Sequence, residues 1–312
     1  MSGAIAKDSE GHVFELRPWL CPICGPAKQK TLGQRGGRFQ RYGRGVPTSV
    51  VQCLSCGLIF PNPFPIPADP QELYGHPDEY FSGPNERSDL TAYRELVAEV
   101  RRRTGRSDPS ILDIGSGRGE LLAAALGVGL RDVVGIELSQ AFAAAARLRF
   151  GVTVHAMTIE EYAAVAGRKF DCIVINGVLE HVYDPDLMIA CAAKLTEPGG
   201  VLFLDVPNEP NLLTRVGNLF NRVRGNGGVY NLTPTWPPYH VYAFNPRSIN
   251  RLLKKHGYRI ESLQIYASIG VTAKSDVADR LAAFVATQLN RVANWTGTAE
   301  DMKVWARLQT AV

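Results

Sequence analysis

A glycine-rich turn constrains the fold of this 312-residue chain more than any other feature. The turn reads DIGSGRG over 113–119, begins in the short apolar segment ILDI, and runs directly into the helix-forming run GELLAAAL. Glycines at 115, 117 and 119 let the backbone approach a ligand without Cβ clashes and then open a helix. This strand–turn–helix unit predicts a ligand site at the carboxyl end of a buried strand.

The segments after the turn alternate between predicted strands and predicted helices. Ser139 can cap a helix through Phe150, and Asp184 can cap another that has Pro185 at its first position. The predicted strands are ILDIG, DVVGIE, VTVHA, FDCIVIN, GGVLFLDVP and a closing GYRIESLQIY. This alternation predicts an α/β fold with a doubly wound, mostly parallel sheet that helices cover on both faces.

Four cysteines form two CxxC pairs ahead of this fold, Cys21 with Cys24 and Cys53 with Cys56. Glycine follows each pair, as a metal-binding knuckle favours, and each knuckle can offer two sulfurs to one tetrahedral ion. A reducing compartment also favours metal ligation over disulfides. The pairs predict structural Zn²⁺ in a small zinc-ribbon-like module, and four thiolates would leave the ion no open position for catalysis.

The composition along the chain predicts three parts. Residues 1–68 hold the zinc module and a proline-rich linker, in which the prolines from Pro61 to Pro70 favour an extended connector over helix or sheet. Residues 69–265 form the main domain, which includes a predicted helix in DLTAYRELVAEVRRR. Residues 266–312 form a helical extension whose apolar face, Val277 to Val292, packs on the core or on a second subunit.

The net charge of +4 is mild, but its distribution is uneven. Residues 17–68 contain seven Lys or Arg and no acid. This basic surface could meet RNA, a nucleotide-sugar phosphate, or only solvent and the chain's own main domain. No apolar run approaches the length of a membrane span, and the first residues do not resemble a leader, so we expect a cytoplasmic protein without membrane contact.

Glu137 ends the second predicted strand, eighteen residues after Gly119. A carboxylate there can accept hydrogen bonds from both hydroxyls of an adenosine ribose, although it could also be an ordinary exposed acid at a strand end. Dinucleotide sites prefer GxGxxG, whereas this chain has an acidic residue followed by GxGxG. The pattern therefore favours S-adenosylmethionine over NAD as the cofactor.

Four segments in this order, DIGSGRG, GIELS, FDCIVINGVLEHV and the turn Pro198-Gly199-Gly200, resemble the class I S-adenosylmethionine-dependent methyltransferases over 111–258. The resemblance places Asp113 and the three glycines around the methionine end of the cofactor, and Glu137 on the ribose. The family often has an acidic residue after the third strand that binds the adenine amino group, and this chain has the segment HAMTI there. The cofactor residues expected from the motif and the resemblance are Asp113, Gly115, Gly117, Gly119, Glu137, Leu138, Thr158, Ile159, Asn176 and Gly177.

Two histidines are candidates for a general base at the methyl acceptor. His181 lies in LEHV, just after the fourth strand, and His240 lies in PPYHVYAFNPRS, after a long insertion at 208–238 that we expect to shape the acceptor pocket. A histidine is more often structural than catalytic, but Tyr239, Tyr242 and two prolines give His240 the rigid aromatic surround of a pocket wall. A helix capped by Asn245 should hold it at the rim of the sheet.

The order of zinc knuckle, proline segment and methyltransferase motifs, with CGLIFPNP and DEYF, is similar to sugar C-methyltransferases and their relatives. In that family the histidine matching His240 is the base, while Tyr239, the third candidate catalytic residue, replaces the family's neighbouring glutamate. We therefore expect methyl transfer to a small hydroxylated acceptor, a sugar or nucleotide sugar, with the methylated atom open. An RNA base methyltransferase that uses the basic zinc module, or a catalytically silent cofactor-binding or partner-binding protein, remains an alternative.

Overall fold

The computed structural model describes residues 4–40, 42–69, 90–267 and 277–310. Side chains at 277–286 lie outside this description, and so does the DEYF segment at 78–81. Most of the apolar face predicted for the C-terminal helix therefore falls outside the described side chains.

The N-terminal part consists of two small antiparallel sheets. One sheet has the order β1-β2-β6 and the other β3-β4-β5. Their strands are β1 (Ala4–Lys7), β2 (Val13–Arg17), β3 (Gln29–Arg35), β4 (Thr48–Cys53), β5 (Ile59–Pro61) and β6 (Phe64–Pro67). The first CxxC pair lies between β2 and β3, and the second spans the end of β4 and the turn that leads to β5.

The proline-rich segment is a strand region, and the prediction of a connector without sheet structure was wrong. Both β5 and β6 lie at an edge of their sheets, and β6 pairs with β2 in the register Leu16 to Pro65 and Phe14 to Pro67. Proline lacks an N–H and is tolerated in a strand where that position need not face a neighbour, which an edge strand allows.

The main domain is built on a seven-stranded sheet in the order β12-β13-β11-β10-β7-β8-β9. All pairings are parallel except those of β13, which runs antiparallel to both its neighbours. The strands are β7 (Ile111–Ile114), β8 (Val133–Glu137), β9 (Val154–Ala156), β10 (Phe170–Asn176), β11 (Thr196–Pro207), β12 (Tyr258–Tyr266) and β13 (Asp301–Leu308). The predicted doubly wound, mostly parallel sheet is confirmed.

Eight helices are present in the described residues, and three of the predicted caps are confirmed. Ser139, Asp184 and Asn245 each accept a hydrogen bond from the backbone N–H three residues on. Their side chains thereby satisfy one of the free N–H groups of the first turn. The helices are α1 (Thr91–Thr104), α2 (Glu120–Gly127), α3 (Gln140–Phe150), α4 (Ile159–Val165), α5 (Pro185–Leu195), α6 (Leu212–Val223), α7 (Pro246–Lys255) and α8 (Val277–Thr296).

The sheet buries side chains on both faces because alternate residues of each strand point in opposite directions. In β10, Cys172 and Val174 pack in the cluster that contains Val97 and Val100 of α1. Their neighbours Ile173 and Ile175 belong to the cluster on the other face. That second cluster continues without a break into the N-terminal sheets through Leu58, Phe60 and Phe64. The cysteine-bearing part is therefore packed into the core of the main domain.

The chain beyond 265 is not only a helical extension, so that expectation is corrected. The helix α8 is present, but residues 301–308 form β13, which lies between β11 and β12 in the main sheet. The alternation Met302, Val304 and Ala306, all buried, carries the strand signal that the helical prediction overlooked. The boundary proposed at 265–266 stays a prediction.

Candidate active site

A cavity of about 600 Å³ opens at the carboxyl ends of β7, β8 and β10. This volume lies within the range of small-molecule sites, and the strand ends are where ligands bind in such sheets. Its walls come from the glycine turn, the ends of β8 and β10, and the start of α4. Nine of the ten predicted cofactor residues line it: Asp113, Gly115, Gly117, Glu137, Leu138, Thr158, Ile159, Asn176 and Gly177.

The turn after β7 is shaped by its glycines. Gly115 has φ +71°, and a Cβ at this position would lie 2.4 Å from Cγ2 of Val178. Any side chain there would both strain the backbone and collide with the wall below the turn. Gly119 has a different role from the predicted one, because it caps α2 and its Cβ would meet Val152 and Ala146 at 3.0–3.1 Å. It permits helix packing, and it is not among the residues that line the cavity.

Glu137 is held in place by backbone groups on both of its oxygens. Its Oε2 accepts from the N–H of Gly117 at 3.0 Å, and its Oε1 accepts from the N–H of Ser139 at 2.9 Å. Burial raises the pKa of this carboxyl, while the backbone donors act in the opposite direction. Each oxygen keeps a further lone pair, so the carboxylate can still accept bonds from two hydroxyls of a ligand.

Asp113 is buried at the end of β7 and faces the same cavity. Burial raises its pKa to about 7, and the nearby carboxylates of Glu137 and Glu120 act in the same direction. The cavity thus concentrates acidic groups that a cationic ligand would stabilise in their charged form.

The far end of the cavity is formed by the start of α4. Thr158 accepts from the N–H of Glu161, whose carboxylate accepts in return from the N–H of Thr158. This capping box fixes the turn that carries Met157 and Ile159 against the cavity. These apolar side chains can contact a planar ring.

The opposite end of the cavity is formed by Asn176, Gly177 and His181. Gly177 has φ +66°, and a Cβ added to it would lie 3.9 Å from Oε1 of Glu180. The Glu180 carboxyl is therefore directly behind the end of β10. Gly177 also donates its N–H to the carbonyl of Asp205, which ties this corner to β11.

Glu180, His181 and His240 come together behind this corner and are called the acceptor-end cluster below. Nε2 of His181 lies 3.7 Å from Oε1 of Glu180, and Nε2 of His240 lies 4.0 Å from the same oxygen. The two imidazole rings meet edge to face with centroids 4.9 Å apart. His240 reaches this place because the backbone N–H groups of Val241 and Tyr242 both donate to the carbonyl of Glu180.

The charged forms of all three groups are disfavoured by burial. Burial raises the pKa of Glu180 to about 8 and lowers the pKa of His181 to about 4. For His240, burial and then the neighbouring His181 lower the pKa to about 3. Burial therefore opposes a charge on each of the three side chains when nothing is bound to them.

Tyr239 does not join this cluster through its side chain. The ring is buried against Phe14 and Val46 of the N-terminal sheets, and the residue has φ +62°. The structure therefore places one of the three predicted catalytic side chains in a packing contact, whereas His181 lines the cavity and His240 lies beside it.

The four cysteines also come together. Their sulfur atoms lie within 4.8 Å of one another, and Sγ of Cys21 is 3.6 Å from Sγ of Cys56. The two knuckles repeat one geometry, since Gly25 donates to the carbonyl of Cys21 and Gly57 to that of Cys53, each at 2.8 Å. Four sulfurs about 2.3 Å from one tetrahedral Zn²⁺ would be about 3.8 Å apart, so the donor set fits this ion.

The N-terminal part contacts the segment that carries His240. Ile59 and Ala243 exchange two backbone hydrogen bonds of 2.9 and 3.1 Å, and Asn245 donates to the carbonyl of Gly57 at 2.8 Å. The indole N–H of Trp19 donates to the hydroxyl of Tyr242 at 2.9 Å. The second knuckle is therefore joined directly to the segment that leads from His240 into α7.

A family model described as a methyltransferase domain matches residues 87–263, more than half of the chain. The chain belongs to this methyltransferase family. It is an S-adenosylmethionine-dependent methyltransferase, and the predicted resemblance to the class I enzymes is confirmed.

Relatives of this methyltransferase include the ubiquinone biosynthesis O-methyltransferase of Thiobacillus denitrificans, 30% identical over 53% of this chain and 70% of that protein. The protein of the same name from Aromatoleum aromaticum is 34% identical over 35% of this chain. The chain spans about half the length of this second relative, 48%. A S-adenosylmethionine-dependent methyltransferase structure from Archaeoglobus fulgidus is 20% identical, with a TM-score of 0.45 over 69% of this chain and 94% of that one.

Sequence reasoning missed Glu180 and several parts of the methyltransferase cavity. Glu180 was visible only as the residue before His181, and nothing local indicates that its side chain turns inward. Tyr93 of α1 and Phe142 of α3 also line the cavity. Tyr93 was assigned to a helix face, and Phe142 lies three residues after the Ser139 cap, a position that could have suggested contact with the adjacent strand end.

Proposed function

We propose that this methyltransferase transfers the methyl group of S-adenosylmethionine to an oxygen atom of a small hydroxylated acceptor, with sugars and nucleotide sugars as the acceptor class. The acceptor-end cluster carries this proposal, because it puts proton-accepting side chains where the methionine end of the cofactor would lie. The relatives from Thiobacillus denitrificans and Aromatoleum aromaticum are O-methyltransferases, which supports oxygen as the methylated atom. The resemblance of the sequence to sugar methyltransferases supports the acceptor class.

The cavity fits the cofactor at each point where the chemistry demands a partner. Glu137 would accept from the two ribose hydroxyls, and Thr158 and Ile159 would border the adenine. Asp113 and the backbone at Gly115 and Gly117 would surround the methionine part, whose cationic groups suit the acidic cavity. When bound, the sulfonium supplies an electrophilic methyl group.

His240 is the candidate general base for the acceptor hydroxyl, and His181 is its neighbour on the cavity wall. Methyl transfer needs the attacking oxygen held in line with the methyl group, and the hydroxyl must lose its proton. His240 has a half-buried side chain at this end of the cavity, and its backbone is fixed by mutual hydrogen bonds with Thr233. A rigidly held imidazole can meet a hydroxyl without reorganisation.

We also propose that Cys21, Cys24, Cys53 and Cys56 hold a structural Zn²⁺. The sulfur spacing and the repeated knuckle hydrogen bonds support this assignment. Four thiolates leave the ion no position for a substrate, so its role is to fix the second knuckle against the His240 segment. The cytoplasmic location expected from the sequence stays a prediction; in the described residues, no helix is long and apolar enough to cross a membrane.

One cation of the basic N-terminal surface is engaged within the chain and is not offered to an RNA substrate. The guanidinium of Arg35, one of its seven basic groups, donates to the carbonyl of Leu232 at 3.0 Å and lies over the ring of Trp236. Burial lowers its pKa, and the carboxylate of Glu209 acts against that shift. This cation serves a contact between the N-terminal part and the 208–238 insertion.

The test is S-adenosylhomocysteine release over a panel of sugars, nucleotide sugars, phenols and amines, combined with calorimetry of S-adenosylhomocysteine binding. We expect His240→Ala to lower turnover of the active acceptor by about 10²–10⁴-fold with unchanged cofactor affinity. His155→Ala, which removes an exposed histidine on β9, is the matched control. Unchanged turnover in His240→Ala would reject the base, and release with no hydroxylated acceptor but with an amine would reject oxygen as the methylated atom.

A further inference from the structure

The acceptor-end cluster consists entirely of side chains that bind metal ions. Glu180 and His181 follow β10, whereas His240 comes from a segment sixty residues later, yet one ligand atom from each lies within 4.8 Å of the others. Within the described residues only one other group of such side chains is this compact, the four cysteines. Two segments that are distant in sequence thus converge on one point.

Two polar atoms of the cluster are buried without any hydrogen-bond partner in the described part of the chain. These are Oε2 of Glu180 and Nδ1 of His181. A buried polar atom that forms no hydrogen bond destabilises the fold, and more so when the group is charged. The three side chains do not pair with one another at hydrogen-bond distance, and two of their buried polar atoms have no partner, which indicates that a ligand bonds to them.

We propose that Glu180, His181 and His240 form a binding site for a divalent transition-metal cation. Two ligands bonded at about 2.1 Å to one ion can be no more than about 4.2 Å apart. The 3.7 and 4.0 Å from Oε1 of Glu180 to the two imidazoles satisfy this limit, and all three ligand atoms lie within 4.8 Å of one another. Two imidazoles and one carboxylate suit Zn²⁺, Mn²⁺ or Fe²⁺, whereas Mg²⁺ and Ca²⁺ prefer oxygen ligands alone. The site is separate from the four-cysteine cluster.

The surroundings of His181 provide the support that such a ligand needs. The carbonyl groups of Pro238 and Tyr239 lie beside its imidazole. Nδ1 of this ring has no partner in the described residues and stays available to a ligand. Tyr239 has a left-handed backbone conformation, with φ +62°, which is strained for a residue other than glycine. We assign this strain a role in presenting the Tyr239 carbonyl to the imidazole of His181.

The inference deepens the proposed function and rests on it, since the site lies at the methyl-accepting end of the cavity. Three protein ligands leave one position open in a tetrahedral ion and three in an octahedral one. An acceptor with two adjacent oxygens, a vicinal diol or a hydroxy-ketone, could occupy two of the three open positions of an octahedral ion. His240 would then be a ligand of the cation and would no longer be the general base. Coordination to the cation would lower the pKa of the acceptor hydroxyl instead.

The reaction balances with no further reactant. The acceptor O–H releases its proton to solvent, the oxygen forms a bond to the methyl carbon, and the carbon–sulfur bond breaks with its electron pair passing to sulfur. The sulfonium charge is lost, S-adenosylhomocysteine leaves, and one proton is released for each methyl group transferred. The cation changes neither charge nor oxidation state.

The experiment is a titration with MnCl₂ of the full chain that carries one zinc ion per chain, held by the four cysteines, followed by electron paramagnetic resonance of free Mn²⁺. We expect one Mn²⁺ per chain in the wild type and in the His155→Ala control. Glu180→Gln, which keeps the shape of the side chain, and His181→Ala should each weaken binding by about 10- to 100-fold or more. Thermal unfolding and the zinc content of each variant show whether it is folded.

Binding that is equal in the wild type and in folded Glu180→Gln, or absent from the wild type at millimolar MnCl₂, overturns the site. Full turnover of an acceptor in protein freed of all cations except the cysteine-bound zinc also overturns it, and leaves the proposed function with His240 as base. One Mn²⁺ per chain together with no binding of S-adenosylhomocysteine keeps the site and rejects the proposed function. Failure of the two proposals is thereby distinguishable.

Discussion

The two ends of the cavity are built in different ways. At the cofactor end, the glycine turn and Glu137 lie within 25 residues of one another, and backbone hydrogen bonds between neighbouring strand ends connect them. At the acceptor end, the cluster needs the loop after β10, the segment at His240, and the N-terminal sheets that hold this segment through Ile59. One end is local in sequence, and the other is assembled from three distant parts of the chain.

This difference indicates that the two ends can be altered separately. A change in the cysteine module should reach the acceptor end through the Ile59–Ala243 and Gly57–Asn245 contacts, and should leave the glycine turn in place. A change at Glu137 should do the reverse. The predictions below test this separation.

Loss of a cysteine ligand should have the largest effect. In Cys53→Ser the proposed zinc site loses one of four thiolates, and the second knuckle no longer holds the His240 segment. Because a displacement of about 1 Å can cost about 10²-fold in rate, we expect methyl transfer to fall at least that far. Affinity for S-adenosylhomocysteine, measured by calorimetry, should stay within about threefold.

Cys191→Ser is the matched control, since Cys191 is a buried cysteine outside the cluster. It should retain zinc and turnover. If Cys53→Ser lost cofactor affinity as strongly as turnover while remaining folded by thermal unfolding, the two ends would be one unit and the comparison would be wrong.

Removal of Glu137 should have an intermediate effect confined to the other end. Glu137→Ala deletes both proposed ribose contacts and the bonds to the N–H groups of Gly117 and Ser139. Hydrogen bonds to a charged group contribute about 1.5–3 kcal/mol, so we expect about 10- to 100-fold weaker binding of S-adenosylhomocysteine. Calorimetry measures this, with the exposed Glu95→Ala on α1 as control.

Mn²⁺ affinity of Glu137→Ala should equal that of the wild type, because the acceptor-end cluster shares no hydrogen bond with Glu137. A coupled loss of cofactor and Mn²⁺ binding in this variant would show that the ends communicate.

The pH dependence of stability tests the cofactor end without substrate or cofactor, and should have the smallest effect on turnover. Burial raises the pKa of Asp113 from 3.8 to about 7, so between these values the native state binds a proton that the unfolded chain has released. The contribution of Asp113 to stability therefore falls as pH rises from about 4 to about 7, by at most about 1.4 kcal/mol per pH unit. Above about pH 7 the contribution no longer changes.

Urea unfolding of wild type and Asp113→Asn between pH 5 and pH 8 measures this contribution. Asp113→Asn should not show the decrease in the free energy of unfolding as pH rises. Its excess in stability over the wild type should be greatest at pH 8. Asp108→Asn is the control, because the Arg131 guanidinium lowers the pKa of that carboxyl and it stays ionised throughout. Parallel stability curves for wild type and Asp113→Asn would contradict the prediction.

The sequence predicted those structural features that residues close together in the chain determine. Apolar periodicity, caps such as Ser139 and Asp184, and the glycine turn identify strands, helices and the cofactor end because each signal acts over a few residues. The proline segment misled because whether proline is tolerated depends on the strand's place in a sheet. Strand β13 was missed because the helical spacing up to Val292 was extended over the alternation of Met302, Val304 and Ala306.

The acceptor end was predictable only in part for the same reason. His240 attracted notice through its aromatic and proline neighbours, and the structure does place it near the cavity. Tyr239, one residue earlier, turns to Phe14 instead, and Glu180 turns inward to meet both histidines. Which way such side chains point is set by contacts with segments 60 to 230 residues distant, which no local pattern records.

The position of β13 has a consequence for how the protein is made. This strand occupies an interior place in the main sheet, between β11 and β12, although it is the last strand in the described chain. During synthesis β11 and β12 emerge first and cannot take their final spacing until residues 301–308 have left the ribosome. The apolar edge of β11 must therefore stay unpaired for the time needed to translate about a hundred residues, which takes about 5–20 seconds and makes this nascent edge a target for chaperones.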